Sequence, residues 1–431
     1  METAIKKNTI TDKLLAEFEA SKPALFGDLS LREEAMRSFL KQGIPNRKSE
    51  EYKYVNIDAM LKGEFSFFTY RPLMVKQISN TRFLKGAINI VLVNGRCEEK
   101  LSDMTSFPKG LEIGYIADAS FNEVFQKHFS KYADINTDAF IALNTALANG
   151  GAFIHVAKGA VIESPIHLIN ISSAEESTFV NSRNLIVVEE NAQVKLIESF
   201  ESVDCTAKTF TNSITEMVVE AGAIVDYTKI ENENEQGYLI NTTQVYQKEK
   251  SVVTANTITL SGSFVRNNLN VALDGEHIET HLNGLYLTNE NQVVDNHTLV
   301  DHRKPNCNSN ELYKGIIEDK SSATFNGKIF VRIDAQKTNA FQSNKNILLS
   351  DEGTINTKPQ LEIYADDVKC SHGTSTGKLD ADKIFYLRAR GLSEISAKKL
   401  LMHAFASEVV DAIKIESLRE YIEEKISKRF E

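Results

Sequence analysis

Ala157-Lys158-Gly159-Ala160, Glu190-Asn191-Ala192 and Glu220-Ala221-Gly222-Ala223 are small-residue turns flanked by strand-like runs, and their spacing decides the fold. Measured on Ala160, Ala192 and Ala223, the steps are 32 and 31 residues. Asp319 to Ala323 and Asp351-Glu352-Gly353 add a later step of 30, from 323 to 353. Self-similarity at such a period marks a stacked solenoid, because each repeat covers an apolar face that its neighbour cannot bury alone. The interval of 100 residues between 223 and 323 has room for about three more repeats. A parallel β-helix satisfies the period, with right-handed crossovers as the rule for parallel strands. A β-sandwich with coincidentally spaced turns is the competing architecture.

Outward from these turns, residues 86–388 read as short strands. Ile329, Val331 and Ile333 alternate with Lys328, Phe330, Arg332 and Asp334, and Leu361, Ile363 and Ala365 alternate with polar neighbours in the same way. No long helical stripe separates these runs, which argues against a doubly wound α/β sheet. The flanks differ. In residues 1–85, Leu14, Leu15 and Phe18 form one apolar stripe and Leu31, Ala35 and Phe39 another, before Gly43 and Pro45 stop the helix. The charged stretch 46–54 reads as a solvated connector. In residues 389–431, Ser393 suits an N-cap, and Leu401, Phe405, Val409 and Ile413, then Leu418, Ile422 and Ile426, recur every four residues. The expected architecture is mainly β: a β-helix core between helical N-terminal and C-terminal regions.

The composition narrows the partners. The 431 residues include 59 acidic and 49 basic side chains, so no global positive field exists to attract nucleic acid. No apolar run follows Lys6-Lys7, and no stretch of about 18 uncharged apolar residues occurs anywhere, so the expectation is a cytoplasmic protein without a membrane partner. Cys97, Cys205, Cys307 and Cys370 lie far apart, which fits neither a disulfide framework nor a C-x-x-C zinc pattern, and suits a reducing compartment.

The enzymatic motifs sought include a phosphate loop, the metal helix H-E-x-x-H and the dinucleotide fingerprint, and none of these occurs. His277 and His281 have helical metal-ligand spacing, but Asp274-Gly275 before them and the strand-rich surroundings oppose a helix. His297 and His302, beside Asp295 and Asp301 and before Cys307, read most simply as polar residues on outer corners of strands. Cys97 and Cys205 have no histidine near in sequence and read as structural or surface thiols. Cys370-Ser371-His372-Gly373 stands apart, because residues i and i+2 of a strand project to the same face. A thiolate and an imidazole side by side form a half-site for iron, and the remaining donors would come from elsewhere. Asp366-Asp367 upstream could orient the imidazole. On these residues alone, a buried cysteine and a turn histidine account for the motif equally well.

A series of blocks in register decides between them. Leu312-Tyr313-Lys314-Gly315-Ile316, Phe325-Asn326-Gly327-Lys328-Ile329, Ala340-Phe341-Gln342-Ser343-Asn344, Thr357-Lys358-Pro359-Gln360-Leu361-Glu362-Ile363, Asp366 to Gly373 and Phe385-Tyr386-Leu387-Arg388-Ala389-Arg390-Gly391 together resemble the SufB/SufD family of iron–sulfur cluster assembly scaffolds. The resemblance extends more weakly over most of the chain, including 48–57, where Tyr52 stands in place of a tryptophan common in relatives. Cys-Ser-His-Gly resembles the SufD branch rather than the SufB branch. The resemblance implies a non-enzymatic scaffold that pairs with a SufB-like subunit and docks a SufC-like ABC ATPase through residues 389–431. It implies a transient iron–sulfur cluster shared with the partner, with His372 as the first candidate ligand and Cys370 as the second. It also allows a reduced flavin in the complex and a homodimer of the isolated chain. Two readings compete: a β-helical carbohydrate-active enzyme using Asp274 with Glu276 or Asp366 with Asp367, and a metal-free adaptor.

Overall fold

The computed structural model describes residues 9–67, 69 and 71–429; Lys6-Lys7 lies outside them. Two sheets, each with eight parallel strands of the coil, face one another across a shared lumen. One carries Ala152–Val156, Thr178–Val188, Thr209–Val219, Gly237–Gln247, Phe264–Leu273, Val293–His302, Ser322–Val331 and Thr354–Ile363. The other carries Ile166–Ser172, Gln193–Ser202, Ile224–Asn232, Val252–Ser261, Glu279–Thr288, Asn308–Ile317, Thr338–Leu348 and Val368–Gly377. The chain alternates between the sheets, so each turn stacks on the last in a parallel β-solenoid of about eight turns.

The period has a backbone cause. Seven of the eight turns entering the second sheet contain a residue in the left-handed region: Gly159, Asn191, Gly222, Lys250, His277, Asn306 and Lys337. Glycine and asparagine adopt it readily, which made the first three turns legible. Lys250 and His277 give no such sign, so the repeat fades from the sequence between 223 and 323 although it continues in the chain. Asp319 and Gly353 belong to the opposite corner, where the chain returns to the first sheet, so the sequence period combined two sets of turns.

Alternate residues fill the lumen. Ile186, Val188, Met217, Val219, Val245 and Val271 from one sheet meet Leu168, Leu196, Val225, Val253 and Leu282 from the other. A polar group interrupts them, with Glu198, Lys229 and Glu231 buried beside Asn241 and Asn267. The outer face of the first sheet is covered by the N-terminal region. There Leu14, Phe18, Ala35 and Phe39 pack with Phe179, Phe210 and Phe264. Helix Ala139–Leu147 joins this layer, although it falls within the span that reads as strands. Every one of its residues is buried, and a helix buried on all sides has no 3.6-residue stripe of apolar against polar residues to betray it. The stretch 46–54 is not a solvated connector. Tyr52 is 3% exposed, donates its hydroxyl to Asp138 at 2.6 Å, and lies under the Arg266 guanidinium.

The outer face of the second sheet is covered from the other end of the chain. Helices Glu394–Val410 and Glu416–Arg429 bring Met402, Ala406, Val409, Leu418, Ile422 and Ile426 onto Ile230, Ile258, Leu285 and Ile316. Ser393 caps the first of them. Between this pair and the coil, helix Ala381–Ala389 buries none of its residues. No helix among the described residues is long and apolar enough to cross a membrane.

Candidate functional site at the open end of the coil

Strand Val368–Gly377 ends the second sheet and pairs in parallel with Thr338–Leu348, placing Cys370 beside Ala340 and His372 beside Gln342. Ala340 and Gln342 face the lumen, at 0% and 3% exposure. Strand alternation therefore puts Cys370 and His372 on that same inner side, at a mouth that no later turn covers. The two differ in availability. His372 is exposed and makes no hydrogen bond or ion pair among the described residues. Cys370 is half-buried against Val331, Ala335, Ala340 and Ala365, and burial pushes its thiol up. The thiolate is the form that binds metal, so the imidazole is the readier donor. Asp366 and Asp367 lie exposed in the turn before the strand, and no hydrogen bond joins either carboxylate to His372.

One column of lumen residues runs Ala255, Leu282, Glu311, Gln342, His372 through successive strands. It changes from apolar to polar in its last three turns. Glu311 is buried, which pushes its carboxyl up to about 7, and accepts a hydrogen bond from Gln342 Nε2 at 2.6 Å.

The other candidates separate. His277 sits in a turn with φ of 59°, and His281 lies in a strand against Glu279, so the pair does not share a helix. His302 points into the lumen and bonds Ser309 Oγ at 2.9 Å, while burial holds its imidazole down to about 4. Cys307 is fully buried, its thiol donating to Gly275 O at 3.2 Å; Cys205 is buried and Cys97 half-buried. Asp274 is taken up by the Tyr246 hydroxyl. Among the described residues no three His, Cys, Asp or Glu side chains converge where they could hold a metal ion. Gly373-Thr374-Ser375-Thr376-Gly377 fits the nucleophile-elbow pattern G-x-S-x-G. It lies wholly within an extended strand and lacks the sharp strand-to-helix turn that exposes a nucleophile.

His297 is not a simple corner residue. It projects from the outer face, where its ring nitrogens lie 2.9 Å from Asp295 and 3.2 Å from Glu51. Arg266 joins the same cluster, donating to Asp295 and to Glu51 O. The cluster borders a groove of about 580 Å³ that includes Asp138, Asp301 and Arg332 and is lined by none of the carboxylates suggested for sugar chemistry. Strand register, in which Asn268, His297, Asn326 and Lys358 stack, was the signal that could have found it.

Comparison with known proteins agrees with the resemblance. Residues 170–405 match the family described as SUF system FeS cluster assembly, SufBD core domain, and residues 28–168 match the SufBD protein N-terminal region. The iron-sulfur cluster assembly protein SufD of Escherichia coli is 31% identical over 397 residues, covering 91% of each chain. A SufBD family protein of Synechocystis is 31% identical over 90% of this chain and 87% of its own. SufD of Bacillus subtilis is 25% identical over 72% of this chain and 71% of its own.

Proposed function

The chain belongs to the SufBD family of the SUF iron–sulfur assembly system and is SufD-like, and from that premise we propose that it is a scaffold subunit which pairs with a SufB-like subunit at the open end of its coil. The nascent cluster is the cargo, held where the two scaffolds meet, with His372 as this chain's ligand and Cys370 as its neighbour. Two donors at most come from this mouth, and a cluster iron needs about four, two of them already sulfides.

The observation that carries the reading is the character of the terminal edge. Exposed edge strands are normally blunted by charge or proline, because their free N–H and C=O groups template pairing with another chain. The penultimate strand obeys this rule with Lys358, Pro359 and Glu362. Val368–Gly377 does not: after Lys369 it runs Cys-Ser-His-Gly-Thr-Ser-Thr-Gly without a fixed charge or a proline. Exposed Ile333, Phe341, Ile363 and Tyr364 surround that end. An unprotected edge beside an apolar rim suits a partner that adds a strand and covers the mouth.

The C-terminal region supplies a second docking surface. Phe385, on the helix that buries none of its residues, and Ile395, at the start of the helix packed on the coil, are 75% and 70% exposed, and this face suits a SufC-like ABC ATPase. Lys314 Nζ donates to Phe405 O at 2.8 Å, and Lys314 lies in Asn308–Ile317, two strands from His372. Movement of the helices upon nucleotide binding therefore has a short route to the mouth.

Lysines at Ser371 and Ser375 test the pairing by giving the edge the protection it lacks. The double variant, co-expressed with a SufB-like subunit, should elute alone with an unchanged melting curve. Continued co-elution as a heterodimer would defeat this reading.

A further inference from the structure

We infer that Gln342 is a positioning residue for His372, its carboxamide oxygen accepting the ring N–H that a ligating imidazole leaves over. The inference rests on the reading of His372 as a cluster ligand. Four observations carry it. The two residues are partners in strand register, so side chains on their shared inner face start about 4.8 Å apart, one strand spacing. Gln342 Nε2 is committed to Glu311 Oε2 at 2.6 Å, which leaves the oxygen as the free end of the amide. That oxygen is buried without a hydrogen-bond partner. Across the lumen, Gly327 keeps the amide's space clear: a Cβ there would come within 2.3 Å of Gln342 Nε2 and 2.9 Å of Cδ.

Metal-ligating histidines donate their second ring nitrogen to a fixed acceptor, which sets the tautomer and the ring orientation. Among the described residues no other acceptor is hydrogen-bonded to His372, so a turn of its exposed ring toward Gln342 meets no competitor. Glu311 fixes Gln342, and Gln342 Oε1 is a buried acceptor without a partner directly in register with the imidazole, one strand nearer to it than Glu311 Oε1. The apolar Leu282 and Ala255 further along the same column show that stacking alone does not require polar residues there.

The test uses the full chain labelled with ¹⁵N-histidine, and long-range proton–nitrogen spectra in which His372→Ala identifies the ring. Wild type should show one dominant neutral tautomer at His372. Gln342→Met, equal in length but without an acceptor, should give a mixture. The exchange Glu311→Gln with Gln342→Glu should restore a single tautomer, and Gly327→Ala, which crowds the amide from across the lumen, should disturb it again. In the complex with a SufB-like subunit, Gln342→Met should weaken ferrous iron retention against a chelator about 10- to 100-fold. Identical His372 ring signals in wild type and Gln342→Met would overturn the inference. If His372→Ala instead keeps its cluster, the ligand reading falls, and with it the role given to Gln342, whatever the ring spectra show.

Discussion

Glu216→Ala should release the segment around residues 129–134 from the coil. Glu216 is fully buried on the outer face of the first sheet, where it accepts hydrogen bonds from Arg183 Nη2 at 2.9 Å and from the backbone N–H groups of Ser130, Tyr132 and Ala133 at 2.9, 2.9 and 3.0 Å. One carboxylate thus pins a loop and neutralises a guanidinium that is itself fully buried. Removing one partner of a buried ion pair costs about 3–5 kcal/mol. Three orphaned N–H groups would add about 1–3 kcal/mol each if they stayed buried. The sum is not reached, because the segment can lift and hydrate before that cost accrues. The opening free energy should therefore fall by about 3–5 kcal/mol, and amide exchange at 130, 132 and 133 should accelerate from roughly 10²-fold to a few thousand-fold, at about 1.4 kcal/mol per decade. Hydrogen–deuterium exchange of peptides spanning 123–138 reads this directly. The double variant Arg183→Met/Glu216→Met removes the stranded cation but not the orphaned amides, so it should recover only part of the loss. Exchange in Glu216→Ala within a few-fold of wild type would refute the reasoning.

Two further outcomes follow from the same physics. Burial holds the His302 imidazole at about 4 against an unfolded value of 6.5, so the unfolded chain binds more protons between those pH values and stability falls on acidification through that window. The slope amounts to about 3 kcal/mol in full, and His302→Asn should remove it, so that urea titrations show variant and wild type converging as pH falls from 6.5 to 4. Phe385→Asp should abolish capture of a SufC-like ATPase without moving the melting temperature, because the side chain is already exposed; capture at wild-type level would remove this face from the docking surface.

What the sequence revealed depended on which residues occupied the corners. Gly159, Asn191 and Gly222 announced the left-handed turns in their own chemistry, whereas Lys250 and His277 adopt the same backbone without any compositional sign. Helix Ala139–Leu147 was hidden because it is buried on every side. Cys370 and His372 share the inner side of one strand, as residues two apart should, but their unequal exposure depends on the coil ending there, which no local pattern encodes. Tyr52 and His297 lie 245 residues apart in the chain, and only the stacked register shows that the stretch 46–54 crosses the outer face at that point.

The central claim is that His372 holds part of a cluster built between two scaffolds. It is tested most directly by anaerobic co-purification of this chain with a SufB-like subunit and a SufC-like ATPase, followed by iron and acid-labile sulfide analysis. Wild-type complex should carry both iron and sulfide, and the His372→Ala complex should assemble with the same subunits yet carry neither above background. Equal iron and sulfide in the two complexes would contradict the account.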